Sequence, residues 1–82
     1  MALLKQNVRF ANVTSTITYE DLNSLSVLNS SADDLSIEII ANGSVMYLGE
    51  GESVTINASS GFVLPDITLD SAGTINCQVI LT

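Results

Sequence analysis

The 82-residue sequence contains no histidine and no tryptophan, and it has a single cysteine. Histidine is the commonest general base and the commonest transition-metal ligand in proteins, so its absence removes the usual starting point for both kinds of chemistry. Serine is abundant, but a serine nucleophile needs a neighbouring base, and no Gly-x-Ser-x-Gly turn is present. We therefore predict that the protein is not an enzyme and binds no cofactor.

The sequence also contains few residues of the types that bind metal ions. One cysteine without histidine excludes zinc and iron–sulfur centres. Calcium prefers oxygen ligands, and Asp33-Asp34 and Glu50/Glu52 are clustered acids in predicted loops. No Asp-x-Asp-x-Asp pattern organises them, so we predict solvated loop acids and no metal. Cys77 follows the apolar alternation of its segment, which predicts a small buried side chain.

Basic residues are scarce as well. Lys5 and Arg9 are the only two, against nine acidic residues, and the formal net charge is −7. Binding to nucleic acids or to anionic membranes requires a basic surface, so neither partner is expected. The amino-terminal segment has no continuous apolar core of the kind found in signal peptides, and no apolar run reaches the length of a membrane-spanning helix. We expect synthesis in a cytoplasm.

What the sequence does contain is apolar surface. Hydrophobic residues make up 46% of the chain, charged residues only 13%, and the mean hydropathy is +0.42. A domain of this size buries only about 60% of the surface of its unfolded chain. Small domains often gain stability by associating. We therefore expect an apolar interface with copies of the same chain or with a larger partner.

Apolar and polar residues alternate in short stretches along the whole chain. Period-two alternation with β-branched and aromatic residues is typical of strands, and turn-forming residues separate the stretches about every 8 to 12 residues. This pattern predicts a single all-β domain over 1–82, a small antiparallel β-sandwich or jelly-roll-like barrel of six to eight short strands. The predicted strands are 13–19, 25–28, 35–39, 45–48, 54–56, 67–69 and 75–82, with 1–12 either a first strand or an extended arm.

The strongest local signal is Asn42-Gly43. Asn-Gly between two apolar stretches favours a two-residue type I′ turn, because both turn residues need a positive φ. Val45–Leu48, which follows it, is apolar on both faces, and this predicts a central strand or a strand at a subunit interface. Turn formers at 29–34 predict a loop. Pro65 cannot donate a hydrogen bond to a sheet, which places 62–65 at an edge or a strand start.

Seven apolar residues lie off the main inward alternation or at the chain start, and we predict that they form the interface. These interface candidates are Leu3, Leu4, Met46, Leu48, Phe62, Val63 and Ile80. The alternative is that several of them belong to the core of a strand that is covered on both sides.

The segment Gly49-Glu50-Gly51-Glu52-Ser53-Val54-Thr55-Ile56 resembles small bacteriophage virion proteins with a β-sandwich fold, such as capsid decoration and head-fibre accessory proteins. Their Pro-Gly-Glu-Ser-like turn precedes a Val-Thr-Ile strand, although Glu50 stands where they usually have proline. They commonly finish with a Gly-Thr-led strand, matched here by Gly73-Thr74-Ile75-Asn76-Cys77-Gln78-Val79. The resemblance implies a non-enzymatic virion component in many copies, which self-assembles or binds a capsid or tail lattice.

A second class of function stays open. A β-sandwich that displays Tyr19 or Tyr47 is able to stack an aromatic ring on a sugar, as carbohydrate-binding and adhesin-like modules do. The supply of aromatic residues is small, with two tyrosines, two phenylalanines and no tryptophan.

Overall fold

The computed structural model describes residues 7–82, which form eight strands in two antiparallel sheets of four. The predicted all-β sandwich is confirmed, and residues 7–82 contain no helix. Sheet A has the order β1-β8-β3-β6 and sheet B the order β2-β7-β4-β5. The strands are β1 (Arg9–Val13), β2 (Ile17–Tyr19), β3 (Ser24–Asn29), β4 (Leu35–Ile39), β5 (Ser44–Leu48), β6 (Ser53–Asn57), β7 (Ile67–Asp70) and β8 (Cys77–Leu81).

The strands pair in a nested order. β4 pairs with β5, β3 with β6, β2 with β7 and β1 with β8, each time antiparallel. The chain is therefore one long hairpin that is folded about the β4–β5 turn and rolled into two sheets. An eight-stranded roll of this kind is the double Greek key, or jelly roll.

One hydrophobic core lies between the two sheets. Sheet A contributes alternate residues of β3 and β8 to this core, and sheet B contributes alternate residues of β4 and β7. These residues reach the core because successive side chains of a strand point to opposite faces of its sheet. Cys77 is buried among them, as predicted. The fully buried apolar side chains are Leu25, Val27, Leu35, Ile67, Leu69, Cys77 and Val79.

The predicted strand 13–19 is wrong as a single element. β1 ends at Val13 in sheet A, and β2 begins at Ile17 in sheet B. Residues 14–16 cross between the sheets. The apolar alternation continues through this crossing because Val13 and Ile17 both face the same core, one from each sheet. Alternation alone therefore does not mark where a chain changes sheet.

The β4–β5 hairpin is confirmed, but its turn is longer than predicted. Ile39 pairs with Ser44, so four residues form the loop, and Gly43 N donates a 2.9 Å hydrogen bond to Ile39 O. Gly43 has a φ of +70°, whereas Asn42 is not among the non-glycine residues with positive φ. Asn42 instead accepts a 3.0 Å hydrogen bond from Ser44 N through its side-chain Oδ1. The type I′ prediction is therefore wrong.

β5 lies at an edge of sheet B, so the prediction of a central strand is wrong and its interface alternative stays a prediction. The side chains of Val45 and Tyr47 lie on the outer face of sheet B, and those of Met46 and Leu48 lie on the face toward the core, opposite the buried Ile37 and Leu35. Leu48, proposed as an apolar surface residue, is only 4% exposed and belongs to the core. Its pairing with the fully buried Leu35, on the face of sheet B that covers the core, explains this burial.

Three other segments complete the architecture. Arg9–Val13, within the predicted arm 1–12, is a strand paired with β8, and residues 1–6 lie outside the described part of the chain. Residues 58–66 form a loop that is held by a 2.6 Å hydrogen bond from Leu64 N to Leu22 O. Pro65 lies in this loop, two residues before β7, so the prediction that 62–65 forms an edge or the start of a strand is wrong. The predicted loop 29–34 begins one residue later, since Asn29 ends β3 and is buried.

Candidate interaction surfaces

The outer side of sheet A carries an apolar surface, which we call the Phe10 face. It consists of Val8, Phe10, Leu28 and Ile80, all of them exposed. Phe10 is directly opposite Ile80 in the β1–β8 ladder, and the residue is 79% exposed. A shallow depression of about 400 Å³ borders these two residues. Directly opposed side chains on one face of a sheet are nearest neighbours across the ladder, so Phe10 and Ile80 form an apolar cross-strand pair on this surface.

The polar residues around the Phe10 face are bonded to one another. Gln78 Nε2 donates to Asn12 Oδ1 at 2.8 Å, and Ser30 Oγ donates to Gln78 Oε1 at 2.5 Å. The hydroxyls of Ser26 and Thr55 lie 2.9 Å apart. These pairs satisfy much of the local hydrogen-bonding capacity within the sheet. The apolar side chains are thus the part of this face that gains most from being covered.

The edge of sheet B is the second exposed apolar region. Val45, Met46 and Tyr47 of β5 are all exposed, as is Ile40 in the preceding hairpin loop. Met46 faces the interior, and together with Ile37, Ile39 and Ile56 it lines a slot of about 120 Å³. Ile56 belongs to β6, the edge strand of sheet A. The slot therefore lies where the two sheets separate between their β5 and β6 edges.

A further depression lies on the outer side of sheet B, at the end away from the β4–β5 hairpin loop, and we call it the acidic groove. Its volume is about 490 Å³, and its walls include Asp33, Asp34, Ser36, Tyr47, Asp70 and Ser71. Tyr47 is 66% exposed. The topology brings these residues together because β4 pairs with both β5 and β7.

Hydrogen bonds at the acidic groove hold Asp70 in place and join the 30–34 loop to the 71–76 loop. Asp70 Oδ1 accepts from Thr16 Oγ1 at 2.7 Å and from Ser71 N at 2.8 Å, and these bonds hold the pKa of Asp70 below its usual value. Ser71 Oγ donates to Asp34 O at 2.8 Å. Thr74 N donates to Asp33 Oδ2 at 2.8 Å. Within residues 7–82, no three histidine, cysteine or acidic side chains lie close enough together to hold a metal ion.

The interface candidates do not form one surface. Leu3 and Leu4 lie outside the described residues. Met46 is on the β5 edge, Ile80 is in the Phe10 face, and Phe62 and Val63 are exposed in the 58–66 loop. Sequence reasoning missed the outward positions of Phe10 and Leu28. Their signal was present, since Leu28 is out of phase with the buried Leu25 and Val27.

Two core groups titrate at altered pH. Burial raises the pKa of the Cys77 thiol. Burial also raises the pKa of Tyr19, with a further contribution from Cys77, and Arg9 partly opposes the shift. Both groups are therefore uncharged at neutral pH, and they are consistent with a structural role.

No helix long and apolar enough to cross a membrane occurs within residues 7–82. Comparison with known proteins found no matching family model, no matching curated protein and no matching solved structure.

Proposed function

We propose that the protein is a non-enzymatic structural component of a virus particle, present in several copies, that docks on a capsid or tail lattice and associates with its own copies. The observation that supports this most directly is the Phe10 face. A sheet of a small sandwich ordinarily presents polar residues to water, whereas this one exposes a phenylalanine, an isoleucine and a leucine together. Contiguous exposed apolar residues mark interaction surfaces.

Two further features support the same class. The virion resemblance at 49–56 and 73–79 falls on β6 and on the segment leading into β8, so both parts belong to one sheet. The jelly-roll strand order occurs in viral capsid proteins, and also in lectins and cupins. Because one fold serves many functions, this order supports the proposal only together with the exposed face.

Incorporation into particles tests the proposal. Virus particles purified on a density gradient from cells that express the chain should contain it in more than one copy, as measured by quantitative mass spectrometry. Phe10→Ser should reduce incorporation several-fold. Phe62→Ser is the matched control, because Phe62 is 71% exposed but lies in the 58–66 loop, away from the sheet. Absence of the unaltered chain from the particles would contradict the proposal.

A second candidate function is carbohydrate binding, and the acidic groove favours it. An exposed tyrosine ring beside carboxylates and hydroxyls provides a stacking surface and hydrogen-bonding groups for a sugar. Saturable binding on a glycan array that Tyr47→Ala abolishes and Phe62→Ala preserves would support this function. An array without any saturable binding would exclude it.

A further inference from the structure

The four edge strands are not equally protected against pairing with another chain. Unpaired edges are usually shielded by short strands, by charge, by proline or by bulges. β2 has only three residues, and β1 begins with Arg9. β6 exposes Ser53, Thr55 and Asn57, which are polar. β5 has five residues, Ser44–Leu48, with no charge and no proline, and it exposes three consecutive large apolar side chains.

The free backbone groups of β5 can be assigned from its neighbours. Ile40 N donates to Asp66 O, so the alternate residues 36, 38 and 40 of the β4 segment direct their backbone groups toward β7. Ile37 and Ile39 consequently bond toward β5, where their partners are Met46 and Ser44. The N–H and C=O groups of Val45 and Tyr47 therefore lie in the plane of the sheet and point away from β4, at the open edge.

We propose that β5 pairs antiparallel with β5 of a second copy, about a two-fold axis at Met46. This inference rests on the self-association named in the proposed function and specifies its interface. With the axis at Met46, Val45 lies opposite the Tyr47 of the second copy and Tyr47 opposite its Val45. The free N–H and C=O groups of Val45 and Tyr47 in each strand then bond to those of the second copy, and four backbone hydrogen bonds form. The two copies of sheet B become one sheet of eight strands.

The side chains fit this register. Val45 and Tyr47 share the outer face, so each copy provides an aromatic residue opposite a β-branched one, which is a favourable cross-strand pair. The two Met46 side chains meet on the inner face. There they extend the slots lined by Ile37, Ile39 and Ile56 across the axis. Apolar surface that faces water in a single copy becomes covered in the pair.

Charge also favours the antiparallel arrangement. Each copy has a net charge of −7, and the acidic turn 49–52 follows β5 directly. In the antiparallel pair this turn lies beside the uncharged 40–43 loop of the second copy. The two Glu50 residues are then separated by eight strand positions, or about 26 Å. This distance exceeds the screening length of about 8 Å at physiological ionic strength. A parallel pair would place the two acidic turns side by side.

Proline substitution tests which edge pairs. The N–H group that Val45→Pro removes points away from β4. The β4–β5 ladder is therefore kept, whereas the hydrogen bond from residue 45 to the second copy is lost. We expect a dimer for the unaltered chain by sedimentation equilibrium and a monomer for Val45→Pro, with unchanged far-ultraviolet circular dichroism. Thr55→Pro is the matched control, because the hydrogen bond from Ala58 N to Asn23 O places the Thr55 N–H outward on β6. It should stay dimeric.

Val45→Lys serves as a second variant in case the proline alters the fold. A lysine on the edge leaves the backbone unchanged and should also give a monomer. If the unaltered chain remains a monomer up to about 1 mM, the proposed pairing is wrong. It is also wrong if Thr55→Pro disrupts the dimer and Val45→Pro does not.

Cross-linking tests the register. The two Met46 Cα atoms would form a non-hydrogen-bonded pair about 4.5 Å apart, which a disulfide can span. Met46→Cys treated with oxidised glutathione should therefore give a covalent dimer. Ser44→Cys should not, because its two copies are offset by four positions, or about 13 Å. Cys77 is buried and does not interfere. Equal cross-linking of both variants would contradict the register.

The outcome is separable from the proposed function. A chain that is monomeric in solution but incorporated into particles would overturn the β5 pairing and leave docking through the Phe10 face intact. A dimer that is absent from particles would overturn the virion proposal and leave the pairing intact.

Discussion

Asn29 Nδ2 donates a 2.9 Å hydrogen bond to the backbone oxygen of Leu48, which joins the end of β3 in sheet A to the end of β5 in sheet B. The same amide donates to Asp33 O at 3.0 Å, and its Oδ1 accepts from Ser31 N at 3.0 Å. Asn29 has no solvent exposure. One polar side chain thus connects the two sheets and fixes the start of the following loop.

Replacing this amide should destabilise the fold. Asn29→Leu keeps an apolar side chain of similar size but leaves Leu48 O, Asp33 O and Ser31 N without that partner. We expect the free energy of unfolding in urea to fall by about 1–3 kcal/mol. Asn12→Leu makes the same chemical change at an exposed position bonded to Gln78 and should cost less than about 0.5 kcal/mol. Equal losses in the two variants would contradict the role of Asn29.

Gly73 and Asp33 should be energetically coupled. A Cβ at Gly73 would overlap the Asp33 carboxylate, which accepts the hydrogen bond from Thr74 N. Gly73 does not have a positive φ, so alanine suits its backbone. In the unaltered chain Gly73→Ala should therefore destabilise. In an Asp33→Ala background the same change should stabilise by about 0.4–1 kcal/mol, because it reduces the entropy of the unfolded chain.

The measurement is a double-mutant cycle from urea unfolding of the four proteins. Additive effects of the two substitutions would show that the predicted contact carries no energy.

The pKa of Asp70 should depend on Thr16. The Thr16 hydroxyl and the Ser71 N–H stabilise the ionised carboxylate, so the pKa is lower in the folded state than in the unfolded chain. This contribution to stability is present above the ordinary aspartate pKa of about 3.9 and is lost as the pH falls through the lowered folded-state value. Thr16→Val should raise the Asp70 pKa, as measured by nuclear magnetic resonance titration of its carboxyl carbon.

Thr18→Val provides the control for this titration. Thr18 bonds Thr68 at 2.9 Å on the same face and makes no bond with Asp70. Its removal should leave the Asp70 titration unchanged. Identical shifts in the two variants would refute the assignment to the Thr16 hydroxyl.

Cys77 should be protected from thiol reagents in the folded state. Burial raises its pKa, which lowers the fraction of reactive thiolate at any given pH, and the side chain has no solvent exposure. We expect negligible reaction with a thiol-specific chromogenic reagent in buffer and complete reaction in concentrated urea. Rapid labelling in buffer would indicate that sheet A opens between β1 and β3 far more readily than its packing implies.

Alternation predicted the strands at the centre of each sheet well. Leu25 and Val27 in β3, and Cys77 and Val79 in β8, are buried in the predicted phase. These strands have one face on the core and one toward water, so a period of two is imposed on them directly.

Edge strands and sheet changes were less predictable. β5 is apolar on both faces, which in isolation favours a central strand, yet its outward face meets solvent in a single copy. The acidic groove was not predictable as a unit. Tyr47, Asp34 and Asp70 are distant in sequence, and only the pairing of β4 with β5 and β7 brings them together.

Asn29 escaped prediction for a different reason. The residues that follow Asn29 are turn formers typical of a loop, and asparagine is ordinarily exposed. Its burial depends on carbonyl groups from β5 and from the loop at Asp33, which no local pattern reveals.

The nested pairing has a consequence for the order of folding. The closing pair of the innermost hairpin, Ile39 and Ser44, is close in sequence, whereas Arg9 and Leu81 of the outermost pair lie near opposite ends of the chain. Loop-closure entropy therefore rises from the inner pairs to the outer ones, and formation of the hairpin brings each next pair closer together. β8 lies between β1 and β3. β1 therefore joins the rest of sheet A only after β8, the last strand of the chain, has paired with β3.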